Sequence, residues 1–200
     1  MRQKSLLVVA ALVAVLLVAA PTAFATELVN NGSFESGDFT GWTTGGNFEF
    51  TQVVSGAFYV YTGAADGQFY ATLGAVGSDG TLSQSFGDVV GQQYNFSFWM
   101  ASIGDDPSDF SAYWDGTQVF GQTDPNTNGA WTLFSFDETA TGSDTISFAF
   151  RDDPAYIALD NVLVVGVCCS PTPEPSSLLL LGSGLLTVGG VIRRKFQANR

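Results

Sequence analysis

Acidic and aromatic side chains dominate the groups in this 200-residue chain that could do chemistry: 19 Asp and Glu, 17 Phe, 6 Tyr and 4 Trp, against 7 basic residues, 2 Cys and no His. Without histidine the commonest general base and the commonest zinc ligand are missing. Neither a Ser-His-Asp nor a Cys-His nucleophile can be assembled. Two carboxylates about 5–9 Å apart could hydrolyse a glycosidic bond, but no acid pair stands out by its context. Asp105-Asp106-Pro107-Ser108-Asp109 lacks the glycine and closing glutamate of an EF-hand loop and reads as a solvated loop. Asp152-Asp153-Pro154 follows Arg151 and reads as a turn with a weak local ion pair. The aromatic rings offer a different chemistry, stacking on the flat faces of sugars beside Asn, Gln and Asp. Tyr59, Tyr61, Trp99, Trp114 and Trp131 are the candidates. Trp99 is the most suggestive, because it lies opposite the Phe96 and Phe98 face of its segment. A sandwich also has two buried faces to fill, so each of these rings has a core reading beside its binding one.

Strands must hold these side chains. In Tyr94-Asn95-Phe96-Ser97-Phe98-Trp99-Met100, Tyr94, Phe96, Phe98 and Met100 share one face, and Asn95, Ser97 and Trp99 the other. Ile146, Phe148 and Phe150 alternate in the same way. Further strands are predicted over 48–54, 68–73, 81–86, 110–114, 118–120, 131–136 and 157–165, divided by Gly, Asn, Asp and Ser clusters. Asp115-Gly116 reads as a tight hairpin turn. Nine or ten short strands with frequent turns predict an all-β fold, a two-sheet antiparallel β-sandwich of jelly-roll type.

The two ends have another character. Arg2 and Lys4, then an apolar run from Leu6 to Ala20, then Ala23-Phe24-Ala25 fit a secretory signal peptide over 1–25. The domain is then expected over 26–167, and it carries one basic residue, Arg151, against eighteen acids, a formal charge of −17. Such a surface repels nucleic acid and anionic lipid and suits cations, or plain solubility. Residues 168–177 hold Pro171, Pro173 and Pro175 and read as a stiff extended linker. The adjacent Cys168 and Cys169 open that linker and are assigned no role. An apolar segment over 178–192 follows, and then a basic tail over 193–200 that begins Arg193-Arg194-Lys195. The segment is near the lower length limit for a membrane helix, and the basic cluster opposes complete export.

Pro173-Glu174-Pro175, the apolar segment and Arg193-Arg194-Lys195 together resemble the PEP-CTERM sorting signal of bacterial exported proteins, over residues 173–200. The resemblance implies an exosortase-type enzyme as partner, a precursor tethered in the inner membrane, and removal or exchange of the tail. The destination would be the cell envelope, the outer surface or the extracellular matrix.

A second resemblance covers about residues 27–166. The opening Asn30-Asn31-Gly32-Ser33-Phe34-Glu35, with Gly41-Trp42, and the closing Leu159-Asp160-Asn161-Val162 look like the galactose-binding-like jelly roll of carbohydrate-binding modules. In those modules the first and last strands pair, which implies that Glu35 and Asp160 approach one another. Two close carboxylates favour a cation between them, and calcium, a hard oxygen-seeking ion, would be the cofactor. The alternative reading is that Glu35 caps a turn and Asp160 bonds local backbone amides. Phe34 and Trp42 are expected to plug one end of the sandwich. The expected function is a non-catalytic, exported bacterial surface or matrix protein. A carbohydrate-binding module for exopolysaccharide, using Trp99, is the alternative, and a small glycosidase ranks last.

Overall fold

A computed structural model of the chain describes residues 26–104 and 107–167. The signal peptide, the linker, the sorting signal, Cys168, Cys169, Asp105 and Asp106 lie outside the described residues. No helix occurs among the described residues, so none there is long and apolar enough to cross a membrane.

Among the described residues, ten strands form two five-stranded sheets. In the first sheet the order is β1 (Thr43–Gly46), β4 (Gly80–Gly87), β9 (Ser143–Asp152), β6 (Ser108–Trp114) and β7 (Thr117–Thr123). In the second it is β2 (Gln52–Ser55), β3 (Phe69–Leu73), β10 (Ile157–Gly166), β5 (Gln93–Ala101) and β8 (Thr132–Thr139). Every strand pairing is antiparallel. The expected all-β sandwich is therefore the observed fold.

Alternation builds the core. The inward residues Phe96, Phe98 and Met100 of β5 and Ile146, Phe148 and Phe150 of β9 are fully buried. Their rings meet across the sandwich, with Phe98 and Phe148 edge-to-face at 5.3 Å. Leu82, Phe110, Leu159 and Val162 complete the same core. Asp115 and Gly116 both have positive φ, 47° and 73°, in a two-residue turn joining Trp114 and Thr117. That is the Asp-Gly hairpin geometry the sequence predicts. Two expectations need adjusting. Residues 48–54 do not run as one strand: backbone bonding from Thr51 N to Phe48 O makes a turn first, and β2 begins at Gln52. The Gly-rich β1 was not expected, because Thr43-Thr44-Gly45-Gly46 carries no apolar alternation; it exists as an edge by pairing with β4.

The two terminal motifs are local devices that tie the first turn to the last strand. Asn31 sits at φ 54°, a left-handed position that Asn tolerates. Its side chain donates to Asp38 O and Thr40 O and accepts from Ser36 N, organising residues 31–40. Phe34 is fully buried and stacks on Trp42 at 5.8 Å, while Trp42 Nε1 donates to Asn31 O at 3.0 Å. Both rings belong to the main core. Gly32 lies against β10: its carbonyl accepts from Val162 N at 3.0 Å, and a Cβ there would stand 2.0 Å from Val162 O. Backbone cannot yield as a side chain does, so Gly32→Ala should lower stability by roughly 1–3 kcal/mol. A clear drop in the thermal midpoint, with an unchanged circular-dichroism spectrum, is the expected readout.

Candidate functional site

The outward face of the second sheet carries the groups best suited to hold a ligand. On β5 the alternation that turns Phe96 and Phe98 inward turns Asn95, Ser97 and Trp99 outward. On β8 it turns Leu133, Ser135 and Asp137 outward, all exposed. Register aligns them in rows: Trp99 with Leu133, Ser97 with Ser135, and Asn95 with Asp137. On the other side of β5, Trp99 pairs with Asp160, Ser97 with Leu163 and Asn95 with Val165. Trp99 is half-buried, with exposed Leu133 (50%) beside it. Asn95 Nδ2 donates to Ser135 Oγ (2.9 Å) and Asp137 Oδ1 (2.8 Å), and Ser135 Oγ donates back to Asn95 Oδ1 (3.0 Å). The face thus offers one broad aromatic surface next to a pre-ordered amide–hydroxyl–carboxylate group.

Loop 56–66 covers the neighbouring part of this face. Tyr61 and Tyr70 are buried beneath it with Ala101 and Ala158. Trp131 closes the cluster, edge-on to Tyr70 at 5.6 Å, and its Nε1 donates to Gly63 O at 3.0 Å. Tyr61 donates its hydroxyl to Tyr156 O. Of the aromatic candidates, then, Trp99 presents a partly open ring on the platform. Tyr61 and Trp131 support the loop. Tyr59 is 54% exposed at the loop's tip. Trp114 is buried on the inward side of β6 against Phe86 and Phe96 and belongs to the core.

Glu35 and Asp160 both act on the segment that follows this loop. Glu35 Oε1 accepts from Gln68 N (2.7 Å) and Phe69 N (2.8 Å). Asp160 Oδ2 accepts from Ala65 N (2.7 Å) and Asp66 N (2.9 Å), and its Oδ1 from Asn161 N (2.7 Å). The two acids thus accept from the backbone amides of Ala65, Asp66, Gln68 and Phe69. Gly67 sits at φ 67°, a conformation that favours glycine, and a Cβ there would displace the Glu35 carboxylate, lying 2.3 Å from its Oε1. Asp160 is fully buried. Burial pushes its carboxyl up to about 7, with the nearby Asp66 charge adding to the rise against three amide donors. Hard carboxylate oxygens suit calcium in kind; of those assigned here, Glu35 Oε1 and both Asp160 oxygens accept from backbone amides. Among the described residues, no three His, Cys, Asp or Glu side chains stand together as metal ligands.

The other acids have structural surroundings. Burial, and then the neighbouring Asp144 carboxyl, raise Asp88, whereas Asp144, pushed up by its own burial, is held low by Thr141 and Asp115. Asp88 and Asp144 clamp the turn at 141–142, with Gly142 N donating to Asp88 Oδ1 at 2.7 Å and Thr141 N to Asp144 at 3.0 Å. Arg151 pairs with Asp153 at 3.1 Å, as the local ion pair predicted.

Residues 171–195 match the PEP-CTERM protein-sorting motif. The match includes Pro173-Glu174-Pro175, the apolar segment and Arg193-Arg194-Lys195. It marks an exported protein that is processed at the membrane and implies recognition by an exosortase-type enzyme. No curated protein is detectably similar in sequence. Solved structures share the fold. The TmCBM61 module, solved in complex with beta-1,4-galactotriose, has 16% identity and a TM-score of 0.56 over 70% of this chain and 97% of that one. The CBM22-1 xylan-binding domain from Paenibacillus barcinonensis Xyn10C has 21% identity and a TM-score of 0.51 over 76% of this chain and all of that one. The enzymatically active domain of bacteriophage CBA120 tailspike protein 4 has 16% identity and a TM-score of 0.51, over 70% of this chain and 21% of that one.

Proposed function

We propose that this chain is an exported, non-catalytic sugar-binding protein of the bacterial envelope or extracellular matrix, whose sandwich holds a neutral polysaccharide on the outward face of its second sheet. The arrangement of Trp99 beside Leu133 and the Asn95–Ser135–Asp137 group carries this reading. A pyranose ring has an apolar C–H face and a polar edge; the indole meets the first and the hydrogen-bonded group the second. The formal charge of −17 on the domain disfavours anionic polymers and leaves neutral ones. The carbohydrate-binding modules of the same fold support the class of ligand without specifying it.

The tail supports delivery. Signal-peptide cleavage near Thr26, a transient inner-membrane tether through residues 178–192, and processing at Pro173-Glu174-Pro175 would bring the sandwich to the cell surface or into an exopolysaccharide matrix. Calcium enters the reading as a structural ion at Glu35 and Asp160. The burial of Asp160 beside Asp66 favours it, since a cation would relieve that charge.

A glycan array and pull-down with neutral plant and bacterial polysaccharides test the reading. Enrichment on one of them should fall by at least about tenfold in Trp99→Ala, the size of an interface anchor's loss, with the thermal midpoint little changed. Equal retention by wild type and Trp99→Ala would overturn the assignment of the face.

A further inference from the structure

The end of the sandwich from which the chain leaves carries an apolar tip that the sugar reading does not use. Val90 and Val89 are 73% and 60% exposed, the highest values for large apolar side chains among the described residues. Val167, the last described residue, is exposed as well. The backbone makes these residues neighbours. Val167 N donates to Gln93 O at 2.9 Å, at the start of β5, and the turn that carries the two valines closes just before it, with Gln92 N donating to Val89 O at 3.0 Å. Trp99 lies six positions along β5 from Gln93, about 20 Å away at the rise of a strand. The tip and the Trp99 platform are therefore separate surfaces.

The turn holds the valines out. Turn positions favour Gly, Asn, Asp and Ser, and valine favours strands, so two adjacent valines here go against local preference. Gly91 follows them at φ 78°, the left-handed geometry that glycine supplies without strain. Gly91 N donates to Ala140 O at 2.8 Å, Val89 N to the Tyr94 hydroxyl at 3.2 Å, and Gly142 N to Asp88 Oδ1 at 2.7 Å. Val90 lies over Gly142, where a Cβ would stand 2.9 Å from Val90 Cγ2. These contacts tie the turn to residues 140–142, so its valine side chains stay in solvent rather than folding onto the core.

Where the chain goes next selects the partner. The sorting motif begins at residue 171, four positions beyond Val167, and marks processing at the membrane. Ten residues, 168–177, separate Val167 from the apolar segment, and a stretch of that length reaches at most about 35–40 Å. Acids border the tip: Asp88 precedes it in sequence, and Glu27 pairs with Val165, two residues before the exit. An apolar tip with an acidic border complements a zwitterionic leaflet, whose outermost charge is a cationic amine, and is repelled by an anionic one. Moving one valine side chain out of water is worth about tenfold in an equilibrium. Two valines do not hold a free protein, which must offset the cost of association, but they bias a domain that a tether keeps at millimolar effective concentration.

We infer that the Val89–Val90 turn is a membrane-contact site, which seats the exit end of the tethered precursor on a zwitterionic phospholipid surface and holds the Trp99 platform clear of it. The inference rests on the reading of residues 178–192 as a membrane tether.

Methyl NMR tests it on the precursor after signal-peptide removal, residues 26–200, in nanodiscs that carry spin-labelled lipid. In phosphatidylethanolamine–phosphatidylcholine nanodiscs the Val89 and Val90 methyl signals should broaden far more than those of Val60, which is 45% exposed in loop 56–66. Replacing both valines, Val89→Ser with Val90→Ser, should leave the thermal midpoint little changed and reduce the broadening at Val167 by about tenfold or more. Phosphatidylglycerol nanodiscs should broaden the tip several-fold less. Co-elution of the chain with the nanodiscs reports the tether separately. Co-elution with equal broadening at Val60 and Val90 overturns the contact site and spares the tether, whereas a chain that does not co-elute removes both. Equal broadening in phosphatidylglycerol overturns the zwitterionic partner. Tip signals that respond only when an exosortase-type enzyme is added assign the turn to a protein partner and overturn the membrane site.

Discussion

Phe98→Ala should lower the folding stability of the domain by about 3–5 kcal/mol, out of the roughly 5–15 kcal/mol typical of a domain. Phe98 is fully buried at the middle of β5. Its ring meets six others that belong to both sheets: Phe148 at 5.3 Å, Phe134 at 5.6 Å, Phe96 and Phe110 at 5.7 Å, Phe120 at 5.9 Å and Phe136 at 6.2 Å. Phe110 and Phe148 come from internal strands with partners on both sides, so they cannot close in on the space left behind. The cavity term therefore adds to the lost burial. A denaturant titration should show the midpoint falling with little change in slope, the signature of lost stability in an unchanged fold. Its neighbour provides the contrast: Trp99 points outward and is only half-buried, so Trp99→Ala should cost much less stability while removing ligand. A small loss in Phe98→Ala would mean that the two sheets do not pack as described.

This contrast between adjacent residues was legible in the sequence, because a strand's period of two is local information. The same rule applied to β6 separates Phe110, Ala112 and Trp114 from Ser111 and Tyr113, and it would have placed Trp114 in the core. The Asp115-Gly116 hairpin was legible for a similar reason, since two positive φ values are written into two adjacent residues. Features built from distant segments were not. Asp160 and Glu35 each stand in a recognisable terminal motif, but the amides they hold belong to residues 65–69, which carry no motif of their own. A small pocket joins Phe50, Gly74 and Tyr156, and no short window of sequence contains more than one of them. Tyr59 also gave no warning: only the backbone reveals that a tyrosine sits where glycine is favoured. β1 escaped because an edge strand can form from backbone pairing alone, with no apolar face to announce it.

The second large effect is a stability that declines as pH rises, with Asp160 as its main source. Burial holds the folded-state Asp160 near 7, while an unfolded chain ionises near its ordinary value of 3.8. Between those limits the folded state keeps a proton that the unfolded state has released, so each step up in pH favours unfolding. Stability should be greatest below about pH 4 and fall by roughly 2–4 kcal/mol by about pH 7, then level off. Asp88 and Asp109 are also raised, first by burial, and push the same way; Asp144 is held low and opposes them. Asp160→Asn cannot ionise yet keeps an oxygen for the Ala65 and Asp66 amides. Its thermal midpoint should vary much less over pH 4–7 and cross the wild-type curve, lying below it in acid and at or above it near neutrality. Calcium decides what the acid is for. An ion at Glu35 and Asp160 would stabilise the ionised carboxylate in the folded state, so in excess calcium the wild-type midpoint should rise with pH, and chelator should restore the fall. If the curve falls equally with calcium and with chelator, Asp160 is a buried clamp on residues 65 and 66 and the ion has no place there. Asp160→Asn should be indifferent to both, which separates a site at this carboxylate from calcium bound elsewhere on so acidic a surface.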